Sequence, residues 1–251
     1  MGLPRVVSTP GSSAAAEVAQ AHWICQRDPM KSSRLARSLD GGSSVLLRVI
    51  ERSKAYATIP LAWAYRASDQ QDVIDADVRR WLEIFQATDG EHSLHSLLYA
   101  FEEFRGVFYF RLSRGNPTGA LLARLLRRIW KPVASLNIAT ADIGPGLFIA
   151  HGHATTLAAQ RIGSNCYVHQ GVTIGWDYRS ARAPIIGDDV FIGAGAVIVG
   201  AVTIGDGARI GSNAVVLCDV PAGATAVGVP ARVFQRAGEV VPLRTEGSAG
   251  S

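Results

Sequence analysis

The sequence predicts an α+β chain, with an N-terminal α-helical domain followed by a C-terminal parallel β-helix. Two spacings carry that prediction. Ile186, Ile192, Ile198, Ile204, Ile210 and Val216 recur every six residues, and the same phase reaches back through Ile174, Val168 and Ile162, broken only at Ser180. Before residue 132, apolar residues recur instead at intervals of three and four, as on one face of a helix. A period of six fits neither a helix nor a sheet hairpin. It marks a coil of short strands, each sending one aliphatic side chain into the bore. Gly163, Gly175, Gly187, Gly193, Gly205 and Gly211 each follow one of these aliphatics, where a corner needs left-handed backbone or close approach.

In chain order, residues 1–18 are rich in Ser, Ala, Gly and Pro and read as a disordered tail. The helical domain spans 19–131. Val45, Leu46, Val49 and Ile50 mark one helix, and Val73, Ile74, Val78, Leu82 and Phe85 another, opened by acidic residues suited to a helix N-terminus. A third begins near Ser93, with Leu94, Leu97, Leu98 and Phe101, and runs on towards Leu112. Thr118 precedes an amphipathic stretch carrying Leu121, Leu122, Leu125, Leu126 and Ile129 on one side and Arg124, Arg127 and Arg128 on the other. Such a helix could lie on a membrane, but packing against its own domain with solvated arginines is the commoner outcome. Pro132 ends it. The coil occupies 132–235, and 236–251 is a flexible tail.

Composition narrows the function classes. The 251 residues are 48% hydrophobic and 18% charged, enough for a large core and for two domains. Net charge is +4, and no basic run interleaves with aromatics as a nucleic-acid platform requires. Cys25, Cys166 and Cys218 are odd in number and show no paired spacing, which argues against disulfides and a zinc site and for a reducing cytoplasm. No apolar run approaches the roughly 18 residues of a membrane span, and the N-terminus lacks a signal peptide's apolar segment. A cytoplasmic protein without membrane association is expected.

Chemistry is sought where the repeat fails, since loops carry function and repeats carry scaffold. Ile143 and Ile149 belong to the coil but stand one residue out of phase with Ile162, so an extra residue is absorbed between 150 and 161. That interval holds His151-Gly152-His153. A second irregularity, residues 176–184, is polar and takes the place of one or two strands as a loop pushed out of the coil.

Four segments resemble the serine acetyltransferase family: Glu-Phe-Arg-Gly-Val-Phe-Tyr-Phe-Arg-Leu at 103–112, Ile-Gly-Pro-Gly-Leu-Phe-Ile-Ala-His at 143–151, Gln-Gly-Val-Thr-Ile-Gly at 170–175 and Gly-Val-Pro-Ala-Arg-Val at 228–233. The last identifies hexapeptide acyltransferases at large. The first is narrower and includes relatives from polysaccharide gene clusters. The resemblance implies a left-handed coil, assembly as a homotrimer or a dimer of trimers, and active sites between neighbouring coils. It also implies acetyl-CoA as co-substrate, with no permanently bound cofactor and no metal.

O-acetyl transfer asks for a base, because a hydroxyl is a weak nucleophile at neutral pH. His151 matches the family's catalytic histidine, lying 11 residues before Ile162, whereas His153 lies nine before it. His153 opens His-Ala-Thr-Thr, which also resembles the family's motif and keeps it as the alternative base. His169 reads as structural or substrate-lining. Asp142 and Asp177 are carboxylates that could orient the base or contact the acceptor, or simply solvated corner residues. By resemblance, acetyl-CoA contacts fall on Gly175, Ala194, Ser212 and Arg232; small residues let its pantetheine arm approach the backbone, and Arg232 carries a charge for a phosphate.

Two departures bear on the acceptor. Where the typical serine enzyme has an aspartate before its histidine, this chain has Ala150; where it has a second histidine before the re-entry proline, this chain has Ala183. A buried ammonium without a partner is costly, so a sugar or other small hydroxyl compound is favoured over serine. Serine remains the first alternative. A trimeric metal-binding protein using His151, His153 and His169, or a non-catalytic scaffold, stands behind both.

Overall fold

The computed structural model describes residues 57–86, 94–177 and 182–235. The helix expected from Val45 to Ile50 and both predicted tails lie outside them. The described residues fall in one compact unit, Lys54–Ser251.

The coil is a left-handed parallel β-helix of five turns. Its first turn is β1 (Leu136–Ile138), β2 (Asp142–Ile143) and β3 (Phe148–Ile149); its second is β4 (Thr155–Leu157), β5 (Arg161–Ile162) and β6 (Tyr167–Val168). The third is β7 (Thr173–Gly175), β8 (Ile185–Ile186) and β9 (Phe191–Ile192), and the fourth β10 (Val197–Val199), β11 (Thr203–Ile204) and β12 (Arg209–Ile210). The fifth has β13 (Val215–Val216), a bridge from Val220 to Ile204, and β14 (Thr225–Val227); β15 (Arg232–Phe234) then folds back antiparallel to β14. Every third strand stacks. Face A holds β1, β4, β7, β10 and β13, face B β2, β5, β8 and β11, and face C β3, β6, β9, β12, β14 and β15.

The six-residue phase is the bore. Ile162, Val168, Ile174, Ile186, Ile192, Ile198, Ile204, Ile210 and Val216 are all 1% exposed or less. A second inward position, two residues earlier, carries Cys166, Val172, Val190, Ala196, Ala208 and Ala214, also buried, because strand side chains alternate faces. The repeat glycines other than Gly175 serve close approach. A Cβ on Gly193 would stand 2.6 Å from the Ser212 nitrogen, and one on Gly187 2.8 Å from that of Asp206. Left-handed backbone falls instead two residues later, at Asn165, Asp189 and Asn213.

Residues 176–184 replace no strand, contrary to the expectation. The third turn keeps all three strands, and the insertion lengthens only the corner between faces A and B, where Ile174 and Ile186 are 12 residues apart instead of six.

Among the described residues five helices precede the coil: α1 (Ile59–Ala67), α2 (Gln71–Ile84), α3 (Leu94–Ala100), α4 (Glu102–Arg114) and α5 (Pro117–Leu126). The sequence reading missed α1, whose Pro60 sits where a helix tolerates it. It also merged α3 with α4. Phe101 interrupts them in extended backbone and turns its ring into the aromatic cluster around Trp81. On α5 the cap is Asn116, accepting from Gly119 N–H, and the buried face is Gly119 and Ala123. Leu121, Leu125 and Ile129, expected inside, are 54–71% exposed.

Helices and coil share two anchors. Trp81 packs against Phe104 and Phe148 and donates its Nε1–H to the Leu147 carbonyl at 3.0 Å. Arg111 on α4 is 3% exposed and donates to Asp77 on α2 through Nε at 2.8 Å and Nη2 at 3.1 Å. It also donates to the carbonyls of Ile143 and Gly144, each at 2.6 Å. Asp77 accepts from the Gly146 and Leu147 amides at 2.7 and 3.1 Å. Burial pushes the Asp77 carboxyl up, against the pull of Arg111 and the two amides. This cluster fixes residues 143–147, the segment that leads into His151.

Candidate active site

The phase break is a corner. From the bore residue Ile149 to the next, Leu157, the chain uses eight residues instead of six, and from Leu157 to Ile162 only five. The two extra residues widen the passage from face C to face A, where His151, Gly152 and His153 lie. His151 (φ 61°), Gly152 (φ 37°) and Ala154 (φ 51°) all adopt left-handed backbone, which histidine and alanine rarely do. Such backbone persists only where its surroundings fix it, and it concentrates at functional sites. Here the His153 amide donates to the His151 carbonyl, and the Gly171 amide donates to the His153 carbonyl at 2.8 Å. The Ala154 amide donates to Ser135 Oγ at 3.0 Å. His151 is half-buried; His153 is exposed.

Strand register extends this corner into a column. Ile149, Val168, Ile192 and Ile210 pair in succession on face C, so the next residue but one in each turn stands along the C–A edge: His151, Gln170, Ala194, Ser212. Rungs are about 4.8 Å apart, which puts Ala194 roughly 10 Å and Ser212 roughly 14 Å along the edge from His151. Arg232 pairs with Val227 at the same edge one turn further on and is exposed. His169 lies beside this column, its ring 4.9 Å from Tyr167 and 5.4 Å from Phe191. These tilted and edge-on ring contacts cover part of the half-buried imidazole.

The other predicted residues sit elsewhere. Gly175 ends β7 and Asp177 lies just beyond it, both at the A–B edge, with Asp177 against Gly200. Asp142 begins face B and is 70% exposed, 3.6 Å from Arg161. Face A, about six residues or roughly 20 Å of extended chain, separates these three from His151 within one chain. Ala150 packs, partly buried, against the hydrophobic cluster that holds Trp81 and Phe148, and Ala183 is buried, so both positions are taken up by packing. Among the described residues no three histidine, cysteine or acidic side chains are gathered as metal ligands, and no helix is long and apolar enough to cross a membrane.

One residue at the corner escaped the sequence reading as a site residue. Glu103, in the first turn of α4, places its Cγ 3.2 Å from where a Cβ on Gly152 would stand. The signal was out of reach in sequence, because 48 residues separate the two positions.

Comparison with known proteins bears on the family and the fold. The Bacterial transferase hexapeptide (six repeats) family matches residues 183–218. A serine acetyltransferase of Staphylococcus xylosus is 36% identical over 168 residues, 65% of this chain and 73% of that protein. The solved Neisseria gonorrhoeae serine acetyltransferase in complex with serine is 27% identical, with a TM-score of 0.52, covering 86% of this chain and 94% of the other. A serine acetyltransferase solved in complex with CoA is 29% identical, with a TM-score of 0.55, covering 70% and 74%.

Proposed function

This chain belongs to the serine acetyltransferase family of hexapeptide-repeat acyltransferases, and from that premise we propose that it acetylates the hydroxyl of L-serine with acetyl-CoA. The observation that carries the reading is the C–A edge, where a half-buried histidine on a two-residue bulge stands in line with Ala194 and Ser212. His151 takes the proton from the serine hydroxyl as that oxygen attacks the thioester carbonyl. The C–S bond then breaks, CoA leaves as its thiol with the proton, and O-acetylserine remains. Ala194 and Ser212 let the pantetheine arm lie along the coil edge, and Arg232 meets its phosphate end.

Serine displaces the sugar that Ala150 and Ala183 suggested. Relatives with substantial coverage, from Staphylococcus xylosus and Bacillus subtilis, are serine acetyltransferases, and the Neisseria gonorrhoeae serine acetyltransferase is solved with serine bound. The two alanines then mean that groups other than those at 150 and 183 hold the amino acid. Gly175 and Asp177 reach a His151 site only from a second chain, which supports a trimer with the C–A edge of one coil facing the A–B edge of the next.

A thiol-release assay tests the reading. Acetyl-CoA is offered with L-serine and separately with nucleotide-linked sugars and oligosaccharides. Turnover of serine, reduced about 10²–10⁴-fold by His151→Ala and much less by His153→Ala, is the expected result. Turnover confined to sugars would reject serine as acceptor, and full activity in His151→Ala would reassign the base.

A further inference from the structure

We propose that Glu103 binds the ammonium group of the acceptor and so selects an amino acid over a neutral hydroxyl compound; this rests on the reading of serine as acceptor. The corner is built around this side chain. Gly152 is buried, and a methyl group there would press on Glu103 Cγ at 3.2 Å and on Ile149 Cγ2 at 3.4 Å, so glycine leaves the space that the glutamate methylenes occupy. Helix α4 thereby sets the Glu103 side chain, through its Cγ, against the residue between His151 and His153.

That carboxylate is unused by the fold. Among the described residues Glu103 makes no hydrogen bond and no ion pair, although cations lie on the same helix. Arg105 is engaged by Glu102 at 3.5 Å and by the carbonyls of Leu98, Tyr99 and Lys131 at 2.9–3.1 Å. Arg111 is held by Asp77. A half-buried carboxylate without a protein partner keeps its acceptor oxygens open to an arriving cation. The acceptor proposed for this site brings one, and the alanines at 150 and 183 offer it nothing. Asp142 is turned to Arg161 on face B, which leaves Glu103 as the acid at the histidine corner.

The test compares two acceptors that differ only in the ammonium: L-serine and 3-hydroxypropanoate. In the wild-type protein kcat/KM should favour serine strongly. In Glu103→Gln, which removes the charge but keeps the shape, that preference should fall about tenfold or more, the effect of losing a hydrogen bond to a charged group. The change should appear as a raised KM for serine, with the KM for acetyl-CoA and the rate on 3-hydroxypropanoate unchanged. Glu103→Asp should recover part of the preference. Equal losses on both acceptors, or a shifted pH profile with unchanged preference, would show Glu103 acting on the histidine or the fold and overturn the proposal. So would an unaltered preference. If the wild-type protein fails to turn over serine at all, the acceptor reading falls first and Glu103 with it, a result distinct from an active wild type whose variant keeps its preference.

Discussion

Replacing Asp77 with alanine should cost about 3–5 kcal/mol of folding stability. The carboxylate accepts four hydrogen bonds, two from Arg111 and two from the amides of Gly146 and Leu147. Its removal leaves a guanidinium that is 3% exposed without a counter-charge, and breaking a buried pair from one side typically costs that much. The two orphaned amides add to the cost, at about 1–3 kcal/mol for each group left unsatisfied. The carbonyls of Ile143 and Gly144 still hold Arg111 and keep the total from being a simple sum. Against a typical stability of about 5–15 kcal/mol, the loss is large. Urea unfolding followed by circular dichroism measures it, with the midpoint falling and the slope unchanged. The double variant Asp77→Ala/Arg111→Met removes the stranded charge and should be more stable than the sum of the single losses implies, by at least about 1 kcal/mol. A loss below about 1 kcal/mol for Asp77→Ala, or strict additivity in the double variant, would show that this cluster does not hold the helices to the coil.

The same structure sets three further outcomes. Gly152→Ala puts a side chain where φ is 37° and Glu103 Cγ is 3.2 Å away; it should cost about 1 kcal/mol in a melt and lower kcat/KM for serine, and unchanged kinetics would mean the corner tolerates rearrangement. The Cys166 thiol, pushed up by burial to about 11 from 9.0, stays protonated in the folded chain after the unfolded chain has begun to ionise. Its contribution is therefore complete below about pH 9 and lost as pH climbs towards 11, at up to about 1.4 kcal/mol per pH unit, and Cys166→Ala should flatten that decline. Light scattering should give a mass of at least three chains, and a fully active monomer would contradict the split of the site between two edges.

The bore was legible because a coil demands the same side chain at the same station in every turn, and Ile186 to Val216 obey that demand without exception. The corner at His151 was legible for the converse reason, since a break in a strict phase has to be accommodated somewhere. Helix boundaries were not. Phe101 continues the apolar spacing of Leu94, Leu97 and Leu98 into α4, so nothing in the pattern marks the interruption that Trp81 and its aromatic neighbours stabilise. The buried side of α5 escaped because its fully buried contact is made by Gly119 and Ala123, where small size rather than hydrophobicity sets the fit, while Leu122 and Leu126 are only partly buried and Leu121 and Leu125 face outward. The site divided in the same way. Ala194 and Ser212 are fixed by the six-residue register, but Glu103 reaches the corner through a tertiary contact that no spacing encodes.

A structure made of identical parallel turns has no intrinsic reason to stop, since the last turn offers the same hydrogen-bonding edge as every turn before it. Another chain could continue the ladder and the product would be a filament. The reversal at β15 removes that option. Its pairing with β14 runs Thr225 against Phe234 and Val227 against Arg232, so the outermost strand of face C points the wrong way for a parallel newcomer. A stacking coil must engage three faces at once, and a mismatch of direction on one defeats all three. Val233 and Ala231, 2% and 4% exposed, close over the bore as they turn. Three strand residues thus make a finite molecule of a repetitive one, and their deletion would expose a polymerisable end.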